Sequence, residues 1–119
     1  MPEESLYHSM LLDCYGEILT ARQRECCELH FNEDLSLSEI AEHCGISRQA
    51  VWDNIRRATD AMERLESKTG LLRRTRQSET ALRAALNDLE ILMNQGTEEN
   101  RSRAKHAAEL IRSCLQDDE

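Results

Sequence analysis

The sequence predicts an all-α protein: a helix-turn-helix core with additional C-terminal helices. Three observations carry that prediction. One proline and four glycines in 119 residues leave long helices uninterrupted, and no alternating β-branched run suggests a sheet. Apolar residues recur every three or four positions in successive stretches, the spacing of one helix face. The stretch LSLSEIAEHCGISRQAVWDNIRR, residues 35–57, carries start, stop and packing signals for two helices joined by a tight turn.

Taken in order, a first helix is expected over about residues 4–19, with Leu6, Met10, Cys14 and Ile18 on one stripe. Thr20 and Gln23 form a capping box that opens a helix to about Phe31, and residues 32–35 make a short polar loop. Ser36 and Glu39 form a second capping box, each side chain satisfying a free backbone N–H at the helix start. Leu35 and Ile40 staple that cap, and Ile46 and Val51 repeat the device around Ser47. Gly45 stands just past the first motif helix, where a left-handed residue turns the chain. Small Ala41 allows close helix approach, while Ile40, Ile46, Val51 and Ile55 fill the angle between the helices. The motif therefore occupies about residues 36–58.

Its second helix runs past the usual length. Val51, Ile55, Ala58, Met62 and Leu65 keep one apolar stripe to about Lys68, with Gly70 as C-cap. Residues 71–77 carry three arginines, and a soluble linker is the plain alternative for Arg73–Arg76. Leu82, Leu86, Leu89 and Met93 form another stripe, which Gln95, Gly96 and Thr97 interrupt, with Thr97 as N-cap. Ala104, Ala108, Ile111 and Leu115 mark a final helix before an acidic end. Each of these two stripes is too narrow to be stable alone. The expected organisation is thus a helical domain over residues 1–70 and an extension over 71–119 that serves packing or dimerisation.

Composition bounds the function. Aromatics are 3% of the chain, so it has no stacking platform for single-stranded RNA. The longest apolar runs are far short of a membrane span and no signal-peptide pattern is present, so no membrane association and a cytoplasmic location are expected. Five cysteines, an odd number without a CxxC pair, fit a reducing compartment as small buried hydrophobes. A zinc site from Cys26, His30, His43 and Cys44 lacks the paired spacings that zinc sites show. Redox sensing by Cys26, Cys27 and Cys44 is the other minor alternative. There is no phosphate-cradling glycine loop, nucleophile elbow or HExxH. No catalytic residue, metal or cofactor is expected, and the chain reads as a non-enzyme.

The net charge of −8 is unevenly distributed. Residues 1–47 carry −8, residues 48–76 carry +4 and residues 77–119 carry −4. Positive charge begins with the second motif helix, the polarity that groove docking needs, since phosphate contacts supply most non-specific affinity. With Val51 and Ile55 inward, Ser47, Arg48, Gln49, Trp52, Asp53 and Arg56 occupy the exposed N-terminal half of that helix. That half reaches base edges in known docking geometries. Arg chelates a guanine edge and Gln an adenine edge, and Trp52 meets a thymine methyl or a sugar. Arg57 suits phosphate, as do Arg73, Arg74 and Arg76 in a secondary role. Against this, Trp52 is as well suited to packing on the N-terminal helix or a partner subunit, and Asp53 opposes phosphate and pairs with Arg56 or Arg57.

Several of these residues carry a family resemblance. They are Leu19-Thr20-x-x-Gln23, the acidic turn before Leu35, Ser36-Leu37-x-Glu39-Ile40-Ala41, and Gly45-Ile46-Ser47-Arg48-Gln49-Ala50-Val51-x-Asp53-Asn54-Ile55. Over about residues 8–70 they resemble the YlxM family of small bacterial helix-turn-helix proteins, which in turn look like region 4 of sigma factors. The step of four from Val51 to Ile55, across an Asp-Asn pair, favours YlxM over sigma. The resemblance implies an all-α fold with a sigma-like or winged-helix-like core, often dimeric, that binds double-stranded DNA as a regulator. It also implies an association with the signal recognition particle pathway. Two functions are therefore expected of the chain. The first is a DNA-binding regulator acting as a homodimer. The alternative is a protein or ribonucleoprotein interaction module that keeps the motif as scaffold and meets particle components.

Overall fold

A computed structural model describes residues 3–117. Six α-helices follow in order: α1 (Glu3–Tyr15), α2 (Ala21–Cys27), α3 (Leu37–Cys44), α4 (Arg48–Thr69), α5 (Leu71–Gln95) and α6 (Glu98–Asp117). No strand occurs among the described residues. The chain forms two compact units, residues 1–72 and residues 73–119.

In the first unit α4 is the axis on which the others pack. Val51, Ile55, Ala58 and Met62 are buried along it, and Leu65 packs at the edge of the same cluster. Ile40 and Ala41 from α3, Cys26 and Cys27 from α2, Phe31, and Leu11, Leu12 and Tyr15 from α1 complete the core. The expected α1 stripe differs from the face that is buried. Leu6 and Ile18 are 47% and 56% exposed, and α1 stops at Tyr15 before a 3₁₀ turn over Gly16–Ile18. The stripe at steps of four drifts around the helix by about 40° per step, whereas Leu11, Leu12 and Tyr15 stand together. Tyr15 also fixes that face by polar contacts: its hydroxyl donates to Glu66 Oε1 at 2.7 Å and is hydrogen-bonded to Thr69.

The Thr20–Gln23 box opens α2 as expected. Beyond Cys27 the helix widens into a π turn over Glu28–Asn32, in which the Glu33 N–H donates to the Glu28 carbonyl at 3.3 Å. This turn delivers Phe31 to the core and sets His30 Nδ1 3.0 Å from the Leu35 carbonyl.

The linker alternative for Arg73–Arg76 does not hold, because α5 begins at Leu71, one residue after α4 ends. Gly70, with φ 60°, makes the left-handed step. The exposed N–H groups of the new helix are then met from behind. Thr69 Oγ1 accepts from Leu71 N–H at 3.2 Å, and Glu66 Oε1 from Leu72 N–H at 2.9 Å. Arg73, Arg74 and Arg76 therefore stand on the first turns of a helix.

In the second unit α5 and α6 form a hairpin about Gly96 and Thr97. Thr97 Oγ1 accepts from the Asn100 N–H at 3.3 Å, Ala104, Ala108 and Leu115 are buried, and Arg112 pairs with Glu90 at 3.0 Å.

Candidate nucleic-acid interface

The motif is built from two capped helices and one turn. Ser36 Oγ accepts from the Glu39 N–H at 3.1 Å, and Glu39 Oε1 accepts from the Ser36 N–H at 3.0 Å. These hydrogen bonds hold the Glu39 carboxyl below the usual carboxylate range. Gly45 has φ 68° and its N–H donates to the Ala41 carbonyl, closing α3. Ser47 Oγ accepts from the Ala50 N–H at 3.0 Å and opens α4. Arg22 on α2 is a tie that the sequence reading missed: its Nη1 donates to the Cys44 carbonyl at 3.3 Å, a cation placed at the negative end of α3. No helical periodicity advertises such a contact between helices.

Space is open around Gly45, so its substitution is opposed by conformation alone. Gly45→Ala is expected to cost about 1 kcal/mol, and Ser36→Ala about the same through loss of the cap. Urea denaturation followed by circular dichroism measures both. Unchanged midpoints would mean that the turn and cap carry no strain or stabilisation.

At about 100° per residue, Val51, Ile55, Ala58 and Met62 define the buried side of α4. Asp53 and Asp60 fall on the line opposite, and with Gln49 and Arg56, about 30–50° to one side of it, they form a strip on the outer face of the helix. Arg64 and Arg57 stand at the same angles on the other side of that line, Trp52 lies about 90° from it and Arg48 further round; Arg48, Trp52, Arg57 and Arg64 are all exposed. The strip is internally paired. Gln49 Nε2 donates to Asp53 Oδ1 at 3.2 Å, and Arg56 reaches Asp53 at 3.9 Å and Asp60 at 4.0 Å. The strip is therefore net acidic, and cations without a partner among the described residues sit at its sides. Arg64 and Asp60 belong to this face although the sequence reading left them out; their signal is the seven-residue step from Arg57 to Arg64 and from Asp53 to Asp60.

Trp52 is 47% exposed. On one side it borders a shallow hollow with Leu37, Ser47, Arg48 and Gln49, and on the other a cleft with His8, Phe31, Ile55 and Arg56. In that cleft the rings of His8 and Phe31 stack at 4.8 Å, and His8 Nε2 lies 3.2 Å from Glu63 Oε1.

The cysteines are free thiols. Burial pushes Cys26 up to about 11 and Cys27 up to about 12, values at which the reactive thiolate is scarce. Cys44 Sγ donates to Glu25 Oε1 at 3.3 Å, and its thiol is likewise raised by burial. Cys26 and Cys44 are neighbours, but His30 is engaged with Leu35 and His43 is exposed. Among the described residues no three His, Cys, Asp or Glu side chains are grouped to hold a metal ion. Native protein at pH 8 should give rapid labelling of exposed Cys114 by a thiol reagent, with Cys26 and Cys27 labelled only after unfolding. Mass spectrometry of the labelled peptides reads this, and equal rates at Cys27 and Cys114 would contradict the burial.

Among the described residues no helix is long and apolar enough to cross a membrane. Residues 2–103 match the UPF0122 family, described as "Putative helix-turn-helix protein, YlxM / p13 like". A UPF0122 protein of Acetivibrio thermocellus is 46% identical over 81 residues, covering 68% of this chain and 69% of the relative. One from Clostridium kluyveri is 50% identical over 70 residues, 59% of this chain and 63% of the relative. One from Listeria innocua is 40% identical over 79 residues, 66% of this chain and 72% of the relative. The aligned part thus spans less than two thirds of the Clostridium relative's length.

Proposed function

Because the chain belongs to the UPF0122 family of YlxM/p13-like helix-turn-helix proteins, we propose that it is a non-enzymatic, cytoplasmic regulator that docks α4 in the major groove of double-stranded DNA. The observation that carries this reading is the distribution of charge across α4. A helix lying in a groove turns its two flanks toward the two phosphate walls and its outermost line toward the base edges. On α4 the exposed cations Arg48, Arg57 and Arg64 stand on the flanks, while the outermost line is paired and net acidic. Arg48 also sits in the first turn after the Ser47 cap, where the helix dipole favours an approaching phosphate. In this reading Ser47, Arg48 and Arg57 position the helix, with Trp52 against a sugar or a thymine methyl. Gln49, Asp53 and Arg56 face the bases. Arg73, Arg74 and Arg76 add phosphate contacts from α5.

The acidic remainder of the chain keeps other faces off the duplex and orients the encounter. Fluorescence anisotropy of a mixed-sequence duplex, titrated at several salt concentrations, tests the reading. The logarithm of affinity should fall with the logarithm of salt with a slope of about −2 or steeper. A flat dependence would sink the proposal.

The proposal extends to a homodimer through the second unit. Its hairpin leaves Ile91, Leu92 and Leu110 about half exposed, apolar surface that a second copy would cover. Half-sites would then lie about one helical turn apart, roughly 34–36 Å. Sedimentation across a concentration series reads the oligomeric state.

A second reading rests on charge alone. Asp13, Glu17, Glu33, Asp34 and Glu42 are exposed on the first unit, an acidic surface suited to a basic protein or ribonucleoprotein. The signal recognition particle is the partner that the family resemblance implies, although no residue of the chain points to it. Retention of purified particle components, with no DNA binding, would favour this reading over the first.

A further inference from the structure

The outermost strip of α4 has a chemical preference of its own. Both contacts to Asp53 fall on Oδ1: the Gln49 amide at 3.2 Å and the Arg56 guanidinium at 3.9 Å. Oδ2 is left without a partner among the described residues, and so is Oε1 of Gln49, whose amide nitrogen is committed to Asp53. The exposed face therefore presents two uncommitted oxygen acceptors, one on Asp53 and one on Gln49. The nearest cation, Arg56, is already shared between Asp53 and Asp60. A carboxylate only accepts hydrogen bonds, so it favours a base edge that donates and opposes one that accepts.

In the major groove guanine presents N7 and O6, both acceptors, and thymine presents O4. Adenine presents an amino donor beside an acceptor, whereas cytosine presents the N4 amino group alone. We infer that Asp53 is a specificity-determining residue that selects cytosine through its N4 amino group, with Gln49 and Arg56 as positioning residues that hold the carboxylate. This rests on the DNA-binding reading above and sharpens it. It also reassigns two side chains. Gln49 is less free to chelate adenine than an untethered glutamine, because one amide hydrogen is taken. Arg56 is poorly placed to chelate guanine, being shared between Asp53 and Asp60. The carboxylate that looked like an obstacle to binding becomes the reader.

The test is selection of the full chain against a randomised duplex library, with wild type, Asp53→Asn and Gln49→Ala taken in parallel. Wild type should enrich a motif with cytosine at one position per half-site. Asp53→Asn, nearly isosteric, should weaken the preference at that position by about tenfold while the other positions keep theirs. Gln49→Ala should relax the same position in part, at an unchanged melting temperature. A structural role alone would not produce that split. An enriched motif that is identical in wild type and Asp53→Asn overturns the inference and leaves the DNA-binding reading standing. An absence of any enrichment, together with a flat salt dependence, overturns both.

Discussion

Ile40→Ala should destabilise the first unit by about 3 kcal/mol and lower its melting temperature by roughly 10–20 °C. Ile40 is 0% exposed and belongs to the one buried cluster that joins α3 to α4 and to α1 and α2. The substitution removes three carbons from a site whose neighbours Val51 and Ile55 are held on a rigid helix, so little collapse into the cavity is available. A unit of this size has roughly 5–10 kcal/mol of stability in total, so a loss of this order is a large share of it. Leu110→Ala is the contrasting case. Leu110 is 58% exposed, and its truncation should stay within about 0.5 kcal/mol unless a second copy covers it. Urea titrations of both variants settle the comparison. A cost below about 1 kcal/mol for Ile40→Ala would mean that α3 does not rest on α4 as described.

The second large effect concerns DNA. Arg48→Ala with Arg57→Ala should lower affinity for mixed-sequence duplex by about tenfold for each residue and flatten the salt slope by about 2. The two stand on opposite flanks of α4, so each addresses a separate phosphate wall. Arg56→Ala makes the informative comparison. Its guanidinium lies 3.9 Å from Asp53 and 4.0 Å from Asp60, and a cation already placed between two carboxylates has less charge to offer a phosphate. Exposed pairs of this kind contribute little to stability, so none of the three variants should change the fold. Arg56→Ala should therefore affect non-specific affinity less than either flank substitution. An Arg56→Ala effect as large as the double variant's would show that the strip, and not its flanks, meets the phosphates.

The motif was legible because its signals are local. The Ser36–Glu39 box, the left-handed Gly45 and the Ser47 cap each need only residues within a few positions of one another, and all three form as the sequence implies. The α4 stripe and its Gly70 terminus are equally local. What escaped depends on partners distant in sequence. The buried side of α1 is chosen by Tyr15 reaching Glu66 and Thr69 more than fifty residues away. The start of α5 was hidden because its caps are side chains of the preceding helix, and Glu66 is not a residue type that announces a helix start.

The candidate interface was half legible. Exposure of Arg48, Gln49, Trp52 and Arg56 follows from helical phase once Val51 and Ile55 are inward. Phase alone did not separate strip from flanks, and it did not disclose that Gln49 and Arg56 both turn to Asp53. Those choices among rotamers are made by side-chain contacts, which periodicity does not encode.

α4 runs for 22 residues without proline, glycine or a wide turn, about 33 Å at 1.5 Å per residue. One end carries the Ser47 cap and the strip, and the other is held through Glu66 and Thr69 to Tyr15. Such a rod has no hinge. The rod therefore ties the packing of α1 at one end to the presentation of the strip at the other, with Val51, Ile55, Ala58 and Met62 fixing the length between them to one core.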